Sequence, residues 1–149
     1  MKLWYNSVNL YGSQVDVGTA GTLSAAIAFI APIYFELDMR NNVFSNTLEG
    51  LEGSRSYAIW AWAFMDIIDT LITSIDYNDY YAGGPYGILG NIGAPEDATN
   101  NACDPLNNKY TLGEWQAATL QDTNSLSVNP EFIANDNLEP LIADRKSVV

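Results

Sequence analysis

The strongest constraint on this chain is that it repeats. Leu37 to Asn46, LDMRNNVFSN, is echoed upstream as LWYNSVNLYG from Leu3 and downstream as IDYNDYYAGG from Ile75. Setting Asn6, Asn41 and Asn78 in register gives offsets of 35 and 37 residues, with Val8, Val43 and Tyr80 two positions after each Asn. A second echo, Ser24-Ala25-Ala26-Ile27-Ala28 against Ser56-Tyr57-Ala58-Ile59-Trp60, has an offset of 32. Two interleaved signals at nearly one period mean stacked copies of one structural unit.

The unit is made of strands. Ile33, Phe35, Leu37 and Met39 alternate with Tyr34, Glu36, Asp38 and Arg40, the period of a strand with one buried face. Asn41-Asn42 then favours a bend, because Asn tolerates left-handed backbone and its amide satisfies freed main-chain groups. Short strands joined by Asn bends, with almost no helix, predict an all-β right-handed parallel β-helix of about three coils. Stacking would place Asn6, Asn41 and Asn78 in a structural ladder of side-chain amides. The competing arrangement is an antiparallel sandwich in which Asn marks unrelated turns.

Residues 1–137 form the repeat region on this reading. Within it, 83–108 is rich in Gly, Asn, Asp and Pro without periodicity and reads as a long loop. Thr111-Leu112-Gly113-Glu114 matches a capping box and predicts a short helix over 111–120, with Leu112, Trp115 and Ala118 on one face. Residues 138–149 read as an irregular acidic tail. The last six, 144–149, match the translation of a sequencing adapter ahead of a stop codon and are set aside as non-native.

Composition narrows the partners. Eighteen acidic against six basic residues give a net charge of −12, which repels nucleic acid and anionic membranes. The apolar runs fall short of the roughly 20 residues a membrane helix needs, and no signal peptide is read at the start. Cys103 is the single cysteine, so no internal disulfide forms, and the chain has no His. Nucleophile–base triads are therefore unsupported.

The runs YNSVNLYGS, RNNVFSN, SYAIW, DYNDYY and TLGEWQAATLQDTNSLSVNPEF resemble the right-handed β-helix repeat region of large secreted surface proteins of Bacteroidota. The similarity covers Leu3 to about Asn137 and is most specific from Trp115 to Phe132. It departs at Leu120, where the family pattern often has Gly, and in lacking the family's capping segment and C-terminal secretion domain. The resemblance implies an exported protein, extracellular or on the outer cell surface, and no particular activity.

Several candidate sites follow. Glu36, Asp38 and Arg40 share one outward strand face, as do the carboxylates and base of β-helix polysaccharide lyases; the plainer reading is a solvated face with an exposed ion pair. Asp76 and Asp79 offer oxygens around the Asn78 bend and are weak candidates for Ca²⁺; no other cofactor is indicated. Asp97, Asp104, Asn107 and Asn108 are a further acidic loop. Trp60, Trp62 and Phe64 form an aromatic stripe suited to stacking on sugar rings, or to packing under a loop. Trp115 is expected to anchor the helix on the flank of the coils. The leading expectation is a non-catalytic repeat segment, a stalk or adhesive spacer with neighbouring coils and domains as partners and weak glycan contact; the alternative is a carbohydrate-active lyase or hydrolase.

Overall fold

The computed structural model describes residues 1–13, 23–30, 36–62, 72–92 and 104–140. The chain visits three sheets in turn and then begins again. β1 (Lys2–Trp4), β2 (Ser7–Leu10) and β3 (Leu23–Ile30) make a first tier; β4 (Leu37–Arg40), β5 (Val43–Asn46) and β6 (Arg55–Trp62) a second; β7 (Ile72–Asp76), β8 (Asp79–Ala82) and β9 (Gly87–Ile92) a third. The sheets are β1-β4-β7, β2-β5-β8 and β3-β6-β9, and every one of these pairings is parallel. Among the described residues the molecule is thus mostly β, with one α-helix and no closed barrel.

The repeat is tighter than its sequence alignment. Lys2 pairs with Asp38 and Asp38 with Ser74; Ser7 pairs with Val43 and Val43 with Asp79, so the first two sheets keep a period of 36 residues around the bend, with one irregularity where Leu37 pairs with Ile72. The third sheet pairs Ser24 with Ser56 and Ile27 with Ile59, at the offset of 32 read from the sequence.

Constant period moves the expected ladder by one residue. Asn42, not Asn41, stands between Asn6 and Asn78. The Asn6 backbone N–H and Nδ2 both donate to Asn42 Oδ1 at 3.0 Å, and the Asn42 N–H and Nδ2 donate to Asn78 Oδ1 at 3.1 and 2.9 Å. Asn41 is the residue before, in left-handed backbone (φ 55°), and its counterparts are Tyr5 and Tyr77 (both φ 58°). The column expected as Val8, Val43 and Tyr80 correspondingly runs Val8, Phe44, Tyr80.

Side chains inside the stack sit like above like. Phe44 and Tyr80 stack with ring centres 6.0 Å apart, and Leu37, Met39, Ile75, Ala58, Ile59 and Ala61 complete the core with Phe29 and Leu89. In the third sheet the alternation slips: Ala58 and Ile59 are both in this core, while Tyr57 and Trp60 share a second cluster with Ile88 and Ala25. A cavity of about 10 Å³ lined by Phe29, Leu37, Met39, Ile59, Ala61, Ile75 and Trp115 is wholly apolar. It is at the lower limit for one water and has no polar partner for it, so this part of the interior is dry packed core.

Two stretches differ from expectation. The long loop of 83–108 contains β9, a 3₁₀ turn at Pro105–Asn107 and the start of β10 (Asn108–Lys109), which pairs antiparallel with β9. Of the tail read as irregular from 138, residues 138–140 belong to a hairpin, β11 (Phe132–Ala134) with β12 (Asn137–Pro140). Residues 141–149 lie outside the described residues.

Removing a ladder amide should cost far more than removing its neighbour. Asn42→Ala leaves the Asn6 N–H without its acceptor and takes one donor each from Asn78 Oδ1 and from the Leu3 carbonyl, which accepts from Asn42 Nδ2 at 2.9 Å. Denaturant unfolding should show a loss of about 2–4 kcal/mol for Asn42→Ala and less than about 1 kcal/mol, neutral or stabilising, for Asn41→Gly at its left-handed position.

Candidate functional site

An amide ladder has a direction. Each Asn donates toward the next tier, so the last one, Asn78, arrives with two donors and needs two acceptors. Both are supplied by the segment after the third tier. The Asn78 N–H donates to Ser125 Oγ at 2.8 Å, and its Nδ2 to Asp122 Oδ1 at 3.3 Å. Leu126 N–H then donates to the Asn78 carbonyl at 2.7 Å, and the Tyr80 N–H to the Leu126 carbonyl at 3.0 Å. Residues 121–128 therefore lie on β7 and β8 as a fourth tier would.

The helix α1 (Leu112–Thr119) brings the rest of the site. Its capping box forms as the sequence predicts: the Glu114 N–H donates to Thr111 Oγ1, and Glu114 Oε2 accepts from the backbone N–H of Thr111 and Tyr110. Those two N–H groups hold the Glu114 carboxyl below its ordinary pKa. Leu112, Trp115 and Ala118 all pack on the core. The helix ends at Leu120 in left-handed backbone (φ 56°), the conformation in which Gly is favoured.

Trp115 is the corrected element here. It does not lie on the flank of the stack but is fully buried at its end, with its ring 5.9 Å from that of Tyr80. A Cβ on Gly90 would sit 2.9 Å from the indole, so glycine makes room for it.

Asp122 gathers these parts. The residue is 1% exposed and itself in left-handed backbone (φ 64°). Oδ2 accepts from Trp115 Nε1 at 2.7 Å and from the Tyr80 hydroxyl at 2.9 Å; Oδ1 accepts from Asn78 Nδ2 and the Ser125 hydroxyl. The backbone N–H of Asp122 donates to the Ile75 carbonyl at 3.0 Å, and its carbonyl accepts from Gln116 Nε2 at 2.8 Å. Burial raises the Asp122 pKa, against the hydrogen bonds that favour the anion. Burial and the Asp122 charge raise that of Tyr80 well above its ordinary value. With both oxygens occupied and no solvent access, the arrangement holds structure together and offers no reacting atom to a substrate.

The sequence-derived candidates are scattered by comparison. Asp38 and Arg40 share the outward face of β4, Glu36 is exposed just before it, and Arg40 Nε donates to Asp38 Oδ1 at 2.7 Å. In register with Asp38 stand Lys2 and Ser74; in register with Arg40 stand Trp4 and Asp76, so no column of acids runs along this face. The Asp76 carboxylate accepts from the Asn124 N–H and Nδ2 at 2.7 and 2.8 Å, and Asp79 accepts from the Val128 N–H at 3.0 Å. Both hold the 121–128 segment. Asp104 caps the 3₁₀ turn, and Asn108 Oδ1 accepts from the Tyr57 hydroxyl and Asn91 Nδ2. Among the described residues no three His, Cys, Asp or Glu side chains converge on a metal-sized site. Trp60 is half-buried against Tyr57 and Ile88; the Trp62 side chain, Phe64 and Asp97 lie outside what the structure describes.

Sequence reading missed Asp122, the centre of the site, and the exposed aromatics of the bend column. Tyr5 is 64% exposed, Tyr77 46% and Trp4 42%, with Lys2 Nζ 4.7 Å over the Trp4 ring. The constant spacing of Tyr5, Asn41 and Tyr77 is the signal that locates this column. Among the described residues no helix is long and apolar enough to cross a membrane. Compared with protein-family models, with curated proteins and with solved structures, the chain matches none.

Two outcomes follow for the buried carboxylate. Trp115→Phe removes one donor from Asp122 and should cost about 1–3 kcal/mol in denaturant unfolding. A folded pKa above the unfolded one means that the charged carboxylate destabilises the fold at high pH, and that this cost is relieved as pH falls through the folded pKa toward the ordinary 3.8. The unfolding free energy of the wild type minus that of Asp122→Asn should therefore rise as pH falls across that window; a difference independent of pH contradicts the assignment.

Proposed function

We propose that the chain is a segment of right-handed parallel β-helix acting as a non-catalytic stalk or spacer of an exported surface protein. The observation that carries this is the continuous amide ladder, repeated every 36 residues and bonded at its donor end to a buried carboxylate. Such stacking extends a rod one strand spacing, about 4.8 Å, per coil while each coil satisfies the backbone of the next. The right hand is the one that parallel strand connections take almost without exception. Export and the surface-protein context rest on the resemblance of the Asn-bearing strands and the Trp115 to Phe132 stretch.

Weak glycan contact, on this reading, falls to the exposed Trp4, Tyr5 and Tyr77 in place of Trp60, which packs against Tyr57 and Ile88. Two bulky tyrosines in left-handed backbone are costly without burial to offset them, which favours a contact role. The lyase or hydrolase alternative gains nothing from the geometry, because Asp38 is bonded to Arg40 and Asp76 to Asn124.

Affinity electrophoresis in gels containing neutral or uronate-bearing polysaccharides tests both halves. Retardation should weaken in Trp4→Ala, Tyr5→Ala and Tyr77→Ala and persist in Trp60→Ala, with no unsaturated or reducing-end product on incubation. Polysaccharide turnover that disappears in Asp38→Asn would overturn the non-catalytic reading.

A further inference from the structure

The two ends of the stack are chemically different. At the C-terminal end, the donors of Asn78 are met by Asp122 and Ser125, and α1 with residues 121–128 covers the third tier. At the other end, β1, β2 and β3 are each the terminal strand of their sheet. There the ladder finishes in the opposite group, Asn6 Oδ1, the atom that in Asn42 and Asn78 receives both the N–H and the Nδ2 of the preceding tier.

We propose that the N-terminal face is a docking surface for one further parallel coil of the same 36-residue period, whose bend presents an Asn with its N–H and Nδ2 aimed at Asn6 Oδ1, and that residues 112–128 are the cap at which such a stack stops. This rests on the coiled architecture proposed above and not on the exported function. Polarity selects the occupant. A second copy meeting face to face would set Asn6 Oδ1 against Asn6 Oδ1, acceptor against acceptor, with its strands running the wrong way. A second copy meeting head to tail would find its partner's donor end already covered by the Trp115 helix and Asp122. A coil that arrives from the N-terminal side and carries an Asn meets neither obstacle, and it pairs with β1, β2 and β3 together, beside the hairpin strand β12 that lies against β2.

The test is the full chain extended at its N-terminus by a copy of residues 1–36, which sets the copy's Asn6 one period ahead of the original. Amide hydrogen exchange over Lys2–Leu10 of the original should slow by about tenfold or more relative to the parent chain, and the thermal midpoint should rise. In the added copy, Asn6→Ala should lose part of this protection and Asn6→Asp more, since a carboxylate there faces an acceptor. Equal protection with Asn6→Asp overturns the proposal, as does unchanged exchange over Lys2–Leu10. Concentration-dependent dimerisation of the parent chain that protects the same residues overturns it in favour of a second copy. If Asn42→Ala destabilises the parent chain while the extension protects nothing, this inference fails and the coiled architecture stands; if Asn42→Ala is silent, the architecture fails first.

Discussion

Everything in this structure depends on how a bend is satisfied when strands stack in parallel. Each tier turns through a left-handed residue, at Tyr5, Asn41 and Tyr77, and the N–H that follows is left facing the next tier. A side-chain amide directly above accepts it, and offers its own donors onward. Burial makes the arrangement obligatory: Asn42 and Asn78 are fully enclosed, so an unmet donor there has no water to turn to. The ladder fixes register around the bend, where the offset stays at 36, since an insertion between β1 and β2 or in the copies of that bend would break a hydrogen bond in two tiers at once. The third sheet, which carries no such ladder, drifts to offsets of 32 and 31.

Direction in the ladder explains the cap. Donors accumulate at one end, and a carboxylate is the side chain with acceptors alone. Asp122 is placed there at the cost of burying a charge, which the raised pKa records and which donors from Trp115, Tyr80, Ser125 and Asn78 offset. The same indole continues the column of Val8, Phe44 and Tyr80, so one residue closes both the polar and the apolar columns. Gly90 is the space that permits it.

How much of this the sequence disclosed follows from the range of each signal. The Ser24 and Ser56 blocks could be matched because whole strands of small and apolar residues coincide. The capping box was legible because it is closed within four residues. The ladder was legible as a motif but not to the residue: Asn41 and Asn42 are adjacent, both suit a bend, and only a hydrogen bond from 36 residues away decides which one turns the chain and which one bridges. β9 was hidden because Gly87 and Gly90 are poor strand residues, held extended by β6 alongside. Asp122 was invisible for a stronger reason. Its role exists only once the ladder has a direction and an end, and nothing near it in sequence states either.

Hydrogen exchange of the backbone amides of Asn6, Asn42 and Asn78 measures the central claim most directly. If the amide ladder ties the tiers together, Asn42 and Asn78 exchange only through global unfolding, with a denaturant dependence equal to that of the whole molecule, and Asn6 at the open end exchanges faster. Fast, denaturant-independent exchange at Asn42 would show that the bend opens locally and that the tiers are held by their core alone.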